Sequence, residues 1–427
     1  MSRRHKPQVF TATLIGILFY ACIHTQLRPA CASSAKSRFF RSQRKLAEIH
    51  RHLAQVNKPA VISIQSNDGD IIDCVNSVHQ PAFDHPALRN HSLQASPAAF
   101  PKNSLAEEVL RNKTGEPPPQ LWHQTGQSCP HGTIPIRRTS AKDVLRAGSL
   151  KEYMMKKTGP SSPISPPSRT LQTQADNSHE HAIGYMRGDM LYGAQATLNV
   201  WNPTVQEPSE FSLSQIWVLA GTFNNDLNSI EAGWQVSPLI YGDSNPRLFI
   251  YWTADAYQGT GCYNLLCSGF VQTSNAIAIG AAITPLSSAG GSQYDISILI
   301  WKDPSRGNWW MQFGEDHLVG YWPASLFTHL ATSASMLEWG GEVVNSRPGG
   351  RHTATRMGSG QFPEKGFGQA SYLRNIKFVD ANNVLKTPLG MRTLAEHPAC
   401  YNIQKGANAQ WGAFFFYGGP GQNADCP

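Results

Sequence analysis

Charge is scarce in this 427-residue sequence, where only 15% of the residues are Asp, Glu, Lys or Arg. After Ile23, no apolar run approaches the roughly 20 residues that a membrane-spanning helix needs. Three catalytic signatures are also missing: a Walker-type phosphate loop, His-Glu-x-x-His, and the serine elbow Gly-x-Ser-x-Gly, from which Met357-Gly358-Ser359-Gly360 departs in spacing. No basic helix interleaved with aromatic residues suggests a nucleic-acid partner. These absences argue against a P-loop nucleotide-binding protein, a His-Glu-x-x-His metallopeptidase, a serine hydrolase with this elbow and a nucleic-acid-binding protein.

The composition and the turns indicate a β-rich protein. Aromatic residues make up 10% of the chain, and it has 36 Gly and 29 Pro. Short strands separated by Gly, Asn, Asp and Pro turns, without helical periodicity between them, predict an antiparallel β-sandwich or barrel. The predicted strands span residues 194–201, 211–220, 229–236, 247–253, 269–273, 277–283, 294–302, 309–313 and 340–344, with a last buried strand and turn over 413–421.

Two stretches place acidic residues among strand formers. In the first, a period of two puts Glu231, Gly233 and Gln235 on one face. The second contains Glu338 and Glu342, which also share a face if the strand is regular. Two carboxylates in one cleft can hold different pKa values and divide acid and base work, although most strand glutamates are merely solvated. Pattern alone does not choose between the two acids of the second stretch.

Several multi-residue motifs, in order, resemble the plant neprosin family of secreted glutamic endopeptidases that cut after proline. They cover residues 231–236, 249–255, 320–325 and 338–342, with further likeness over 80–86 and 134–138, so the resemblance spans about residues 60 to 427. It implies a sandwich of two antiparallel sheets. It also implies that Glu231 and Glu342 are the catalytic glutamates.

Local composition and the resemblance together divide the chain: residues 2–6 are basic, residues 9–23 are mostly apolar, residues 30–32 are small, and residues 159–168 are rich in Pro and Ser. We expect a signal peptide over 1–32, a small mixed activation peptide over 33–158, a Pro/Ser-rich linker over 159–180 and the β-sandwich peptidase over 181–427. A membrane anchor is the alternative for the first segment. Residues 1–167 carry a net charge of +12 and residues 168–427 a net charge of −5. A basic pro-segment facing an acidic catalytic domain explains this asymmetry.

The predicted activation peptide has recognisable local elements. Helical spacing of Leu46, Ile49 and Leu53 predicts a short amphipathic helix within 36–56, and a hairpin follows over 60–75. Two glycosylation sequons begin at Asn90 and Asn112. The linker offers bonds after Pro160, Pro163, Pro166 and Pro167 as self-cleavage points, although it can also be passive.

Six of the eight cysteines remain once Cys22 and Cys31 are assigned to the signal region. Six cysteines allow 15 pairings, and order and proximity favour one of them. The favoured bridges are Cys74–Cys129, Cys262–Cys267 and Cys400–Cys426. A metal pair at the second is the alternative, but no His or Cys cluster has zinc spacing. We therefore predict disulfides, no metal and no cofactor.

The resemblance, together with these features, implies a secreted zymogen that hydrolyses proline-containing peptides or proteins, with its own pro-domain as inhibitor. We expect no nucleic-acid partner, and no membrane partner after signal removal. One glutamate is the general base and the other the acid, in an order the sequence leaves open. Gln235 is a candidate oxyanion donor, or a structural residue. Trp234, Trp252 and Trp339 either shape a proline pocket or belong to the core. The alternatives are a β-sandwich glycoside hydrolase and an inactive wall-associated carbohydrate-binding protein.

Overall fold

Strands dominate the computed structural model, which describes residues 43–104, 119–156, 179–348 and 351–427. The predicted signal peptide lies outside these residues. Contacts divide the chain into one unit ending at Ala54 and a second from Gln55 to Pro427. Residues 43–56 are helical, within the predicted helix. Among the described residues, no helix combines the length and apolar character needed to cross a membrane.

The described part of residues 55–156, here called the N-terminal segment, contains one small antiparallel sheet. Its strands are β1 (Ala60–Gln65), β2 (Ile71–Asn76) and β3 (Thr133–Arg137). The predicted hairpin is therefore present, and a third strand joins it. Helices follow over Ala141–Ala147 and Leu150–Met154, and 3₁₀ turns over Ser77–His79, Pro81–Asp84, Pro86–Leu88 and Leu121–Thr125.

Residues 179–427, here called the main domain, contain the remaining strands. These are β4 (His179–Leu191), β5 (Gly193–Asn199), β6 (Ser212–Ala220), β7 (Asn228–Val236), β8 (Arg247–Thr253), β9 (Val271–Gln272), β10 (Asp295–Lys302), β11 (Trp309–Phe313), β12 (His317–Trp322), β13 (Ala334–Val344), β14 (Ser371–Val379), β15 (Leu385–Lys386), β16 (Arg392–Ala395), β17 (Asn402–Asn408) and β18 (Gly412–Gly418). One short helix spans Pro238–Tyr241, and 3₁₀ turns span Ala324–Leu326 and Pro363–Lys365.

Two antiparallel sheets form the main domain, as the sequence predicted. Within the described residues, one has the order β16-β4-β13-β6-β7-β8, and the other runs β17-β18-β14-β5-β10-β11-β12-β9, with β15 beside β14. One face of the six-stranded sheet belongs to the main apolar core, including Ala232, Trp234 and Val236. The opposite face, here called the cleft face, carries Glu231, Gly233 and Gln235. The period-of-two assignment is therefore confirmed.

The N-terminal segment packs against the edge of the cleft face. Residues 277–283 were predicted as a strand, but they form isolated bridges instead: Ile279 pairs with Ile136, Ile283 with Gln120, and Ala282 with Arg247. Their apolar side chains are buried against both the segment and β8, so burial without a regular ladder produced the strand-like pattern. The prediction was wrong for this stretch.

Other boundaries differ as well. β13 begins six residues earlier than predicted, and β4, β12, β14, β15, β16 and β17 were not predicted. β4 reads His-Glu-His-Ala-Ile-Gly-Tyr-Met-Arg-Gly-Asp-Met-Leu. Its polar and glycine residues have weak strand preference, but pairing along most of β13 holds it extended.

Candidate active site

The strand register brings the two predicted glutamates onto one face. Glu231 lies opposite Trp217 of β6, which in turn lies opposite Glu338 of β13. Two rows further along the strands, Glu342 lies on the same face. Directly opposite residues in an antiparallel sheet share a face, and so do residues two apart. The distant sequence positions therefore meet because β6 lies between β7 and β13.

Two glycines keep the space between these rows open. Gln215 of β6 lies between Gly340 of β13 and Gly233 of β7 in a single row. A Cβ at Gly233 would come within 1.9 Å of the Ser214 carbonyl oxygen, and one at Gly340 within 2.3 Å of that of Ala182. No side chain fits at either position without moving the backbone. Gln215 is thus flanked by glycines, and its side chain can reach both acids.

A lysine from the N-terminal segment bridges the two carboxylates. The ammonium nitrogen of Lys156 lies 3.0 Å from Oε2 of Glu231 and 2.9 Å from Oε2 of Glu342. All three side chains are buried. Burial alone would lower the pKa of Lys156, but the two carboxylates outweigh it and raise the pKa well above its ordinary value. The ammonium is therefore charged and fills the space between the acids.

The backbone around Lys156 is fixed to the cleft face. Its amide donates to the hydroxyl of Tyr251, which lies opposite Glu231 in the sheet, at 3.2 Å. Two residues earlier, the carbonyl of Met154 accepts from the amide of Tyr263 at 2.9 Å. These bonds hold the segment across the acids just before the predicted linker.

Glu342 also contacts a histidine of the main domain. Its Oε1 is 2.5 Å from Nδ1 of His179, which begins β4. The predicted linker over 159–180 therefore ends too late, because residues 179 and 180 already pair with β13. His181 lies 4.0 Å from Oε2. Burial would raise the pKa of Glu342, but Lys156 and His179 hold it well below its usual range. Glu342 is therefore ionised while the N-terminal segment is in place.

Glu231 accepts hydrogen bonds from main-domain hydroxyl groups as well as from Lys156. Ser229 donates to Oε1 at 2.9 Å and Tyr257 donates to the same oxygen at 2.7 Å. Burial and the charge of Glu231 raise the pKa of Tyr257 well above its ordinary value. Tyr257 is thus a stable neutral donor, which suits a carboxylate that must keep a fixed orientation.

The structure brings Gln215, and not Gln235, to the acids. The amide nitrogen of Gln215 lies 3.2 Å from Oε2 of Glu231 and 3.3 Å from Oε2 of Glu342. Gln235 is on the same face but lies opposite Arg247, and both of its side-chain polar atoms lack partners among the described residues. Gln215 lies outside the predicted motifs, so only the pairing of β6 identifies it.

A third carboxyl group lies close by. Glu338 is buried, and its Oε1 has no hydrogen-bond partner in the described part of the chain. Burial is the largest cause that raises the pKa of Glu338 to about 7, with Glu231 and Glu342 adding to it. Trp217 separates Glu338 from Glu231 in the row. By contrast, Trp234, Trp252 and Trp339 all belong to the core, so the core interpretation of these tryptophans is the one that holds.

The other predicted sites divide into described and undescribed ones. The structure contains the bridges Cys74–Cys129, Cys262–Cys267 and Cys400–Cys426. Asn90 is exposed. Asn112, Pro160, Pro163, Pro166 and Pro167 lie outside the described residues. Sequence reasoning missed Lys156, His179 and Tyr257, because single polar residues in an irregular segment or at a strand end have no pattern.

Comparison with solved structures finds similar folds at low identity. Scytalido-glutamic peptidase with a peptide-based transition-state analogue is 11% identical over 56% of this chain and 97% of its own, with a TM-score of 0.32. SCP-B, an eqolisin peptidase in complex with the tripeptide Ala-Ile-His, is 10% identical over 56% and 96%, at 0.30. A β-porphyranase from Bacteroides plebeius is 9% identical over 38% and 55%, at 0.22. At such values the likeness carries no information about residue roles.

Family models are more informative. The model described as Neprosin matches residues 208–420, which include both glutamates, and the one described as Neprosin activation peptide matches residues 63–185, which include Lys156. Together they span most of the chain, with the activation peptide preceding the peptidase. The chain therefore belongs to the neprosin family, as a peptidase that carries its activation peptide.

Proposed function

We propose that this protein is a secreted glutamic endopeptidase, made as a zymogen, that hydrolyses peptide bonds on the C-terminal side of proline. One observation carries the proposal. Glu231 and Glu342 converge on a single cation, on a sheet face that the N-terminal segment covers. A catalytic carboxylate pair and its blocking group would have this geometry. Disulfides in the described chain accord with an oxidising compartment.

Hydrolysis follows from the pair once Lys156 has left. Without the ammonium, two like charges face each other, so one carboxyl group takes up a proton at a raised pKa. The ionised partner accepts a proton from water as the oxygen attacks the scissile carbonyl carbon. The protonated partner donates a hydrogen bond to the carbonyl oxygen. A proton then passes to the leaving nitrogen, which gives a C-terminal proline carboxylate and a new amine.

Gln215 is the supporting residue that we propose for this step. It contacts both acids through one amide nitrogen. Because it is neutral, it can remain bonded to the pair whichever carboxyl group holds the proton. This contact supports Gln215 better than Gln235 as the group that holds the pair in place.

Latency follows from the same geometry. Lys156 occupies the position that water and the scissile bond would need. Its charge also favours ionisation of the pair, as the lowered pKa of Glu342 indicates. A pair without a proton lacks the acid that the mechanism requires. We infer that Lys156 blocks both access and chemistry.

Trp217 supports the choice of proline at the cleavage site. It lies on the cleft face between Glu231 and Glu338 rather than in the core. A rigid indole beside the acids offers a flat apolar surface to a pyrrolidine ring. We propose that this surface binds the proline before the scissile bond.

The test combines substitution with paired peptides. Glu231→Gln and Glu342→Gln should each lower kcat/KM for a quenched proline peptide by about a hundredfold to ten-thousandfold, because an amide cannot be a general base. The double variant should lose little more, since the pair acts as a unit. Glu338→Gln, on the same face, is the matched control and should lose less.

Specificity is tested with wild-type mature enzyme. A peptide with alanine in place of the single proline should be cut far more slowly, and polysaccharides should not be cut. Equal cleavage of the two peptides would contradict proline specificity. Full activity of either single glutamate variant would remove that residue from the mechanism.

A further inference from the structure

A buried arginine lies on the cleft face away from the two glutamates. Arg247 begins β8 and lies opposite Gln235 of β7, on the face that carries Glu231. Its side chain is fully buried. Arg247 lies four positions before Tyr251, the residue opposite Glu231, and four positions span about 13 Å along an extended strand.

Three carboxylates surround this guanidinium, and two of them come from the N-terminal segment. Asp243 of the main domain lies 2.5 Å from Nη2. Asp68, at the β1–β2 turn, lies 3.1 Å from Nη2, and Asp70 accepts a hydrogen bond from Nη1. Arg137 of the segment also binds Asp70, at 2.8 Å. Asp70 of the turn therefore binds Arg247 of the main domain and Arg137 of the N-terminal segment at the same time.

If the N-terminal segment left, polar groups of the main domain would lose their hydrogen-bond partners. Arg247 would keep Asp243 and the Gly280 carbonyl but lose both segment carboxylates. Beside it, Gln235 is buried, and its Nε2 and Oε1 have no partner within the described residues. The guanidinium of Arg247, with N–H donors that Asp68 and Asp70 no longer occupy, and the unpaired carboxamide of Gln235 then face the same cleft. Together they can receive a carboxylate.

We propose that Arg247 and Gln235 form a subsite for an acidic side chain of the substrate, and that Asp70 occupies it in the zymogen. The inference rests on the proposed function. An extended peptide rises about 3.3 Å per residue, so the side chain concerned lies three or four residues from the scissile bond. The mature enzyme would therefore prefer proline sites with Asp or Glu at that distance on one side.

The experiment scans one glutamate through a quenched peptide with a single proline, each peptide paired with its glutamine counterpart. Assays at about pH 6 keep the glutamate ionised, because its ordinary pKa is about 4.3. For mature wild-type enzyme we expect the Glu/Gln ratio of kcat/KM to reach about three- to tenfold at one position. A lysine at that position should lower kcat/KM below the glutamine value.

Substitutions of Arg247 then test whether this residue causes the preference for glutamate. Arg247→Gln should bring the ratio to about one, and Arg247→Lys should give an intermediate ratio, because an ammonium keeps the charge but not the fork. The control is Arg374→Gln, which removes an arginine paired with Asp295 on the nine-stranded sheet and should keep the wild-type ratio. If Arg247→Gln does not fold, the wild-type glutamate and lysine scans decide.

Two failures are distinguishable. Proline peptides cut with no acid preference at any position, or an unchanged ratio in Arg247→Gln, would overturn the subsite alone. Failure to cut any proline peptide would overturn the proposed function and the subsite together.

Discussion

At the scale of single residues, the site is defined by one cation between two buried acids. Burying charges is costly, and breaking such a group by removing one member leaves the others uncompensated. Lys156 is the member that the activation peptide contributes. Its replacement should therefore reveal how strongly the two carboxylates repel each other in the closed zymogen.

We predict that Lys156→Met destabilises the proprotein by about 3 to 5 kcal/mol at about pH 7. In the wild type, the pKa of Glu342 is well below its ordinary value, so its stabilisation is present above the ordinary pKa and is lost on acidification. In the variant, Glu231 and Glu342 face each other without a cation, so one of them should have a raised pKa. The fold is then destabilised above that pKa, where both carboxyl groups are charged, and not below it. The difference in thermal midpoint should shrink as pH falls.

Thermal unfolding of intact proprotein at several pH values provides the measurement. Lys151→Met is the matched control, because Lys151 is exposed on the same segment and should change little. A pH-independent difference between wild type and Lys156→Met would show that Lys156 acts by packing and not by charge.

At the scale of elements, the six-stranded sheet depends on glycines where side chains cannot fit. We predict that Gly233→Ala destabilises the protein by about 1 to 3 kcal/mol or prevents folding, because its Cβ would overlap the Ser214 carbonyl. Gly390→Ala is the control, since nothing lies within 4 Å of a Cβ there. Comparing thermal midpoints tests this, and equal midpoints would mean that β6 moves aside freely.

Local alternation predicted which face each residue of β7 occupies, but not which strands lie beside it. The faces of Glu231 and Trp234 depend only on a period of two, and the structure agrees. Gln215 and Trp217 reach the acids because β6 pairs with both β7 and β13, which are about a hundred residues apart in sequence. Such register is set by packing across the whole sheet. The sequence therefore located the acids and missed their neighbours.

At the scale of the whole molecule, histidines of the activation peptide contact the main domain where burial resists their protonation. His91 lies 2.8 Å from the Tyr321 hydroxyl, and His123 lies 2.7 Å from the Ala276 carbonyl oxygen. His85 stacks edge-on to Trp252. Burial is the largest cause that lowers the pKa of each. Nearby charges add to this: Arg306 lowers the pKa of His91, and His317 lowers that of His123.

A lowered histidine pKa has a definite sign for the closed zymogen. Below the ordinary value of 6.5, the released segment binds more protons than the packed one. Acidification therefore favours release, and the lowered pKa of Glu342 has the same sign, because a carboxylate that is stabilised in the closed zymogen loses this stabilisation as the pH falls. The histidines can begin to open the zymogen in mildly acidic solution, because once released they take up protons near their ordinary pKa of 6.5.

We predict acid-triggered self-maturation that depends on these histidines. Acidified wild-type proprotein should be cut after Pro160, Pro163, Pro166 or Pro167, so that the mature chain begins between residues 161 and 168.

A variant with Gln at positions 85, 91 and 123 should mature more slowly at mildly acidic pH, because Gln does not gain charge. His131→Gln is the control, since His131 is exposed on the same segment. N-terminal sequencing of timed samples gives both the bond and the rate. Maturation of Glu231→Gln proprotein at the wild-type rate would exclude self-processing, and an unchanged rate in the triple variant would exclude the histidines as its trigger.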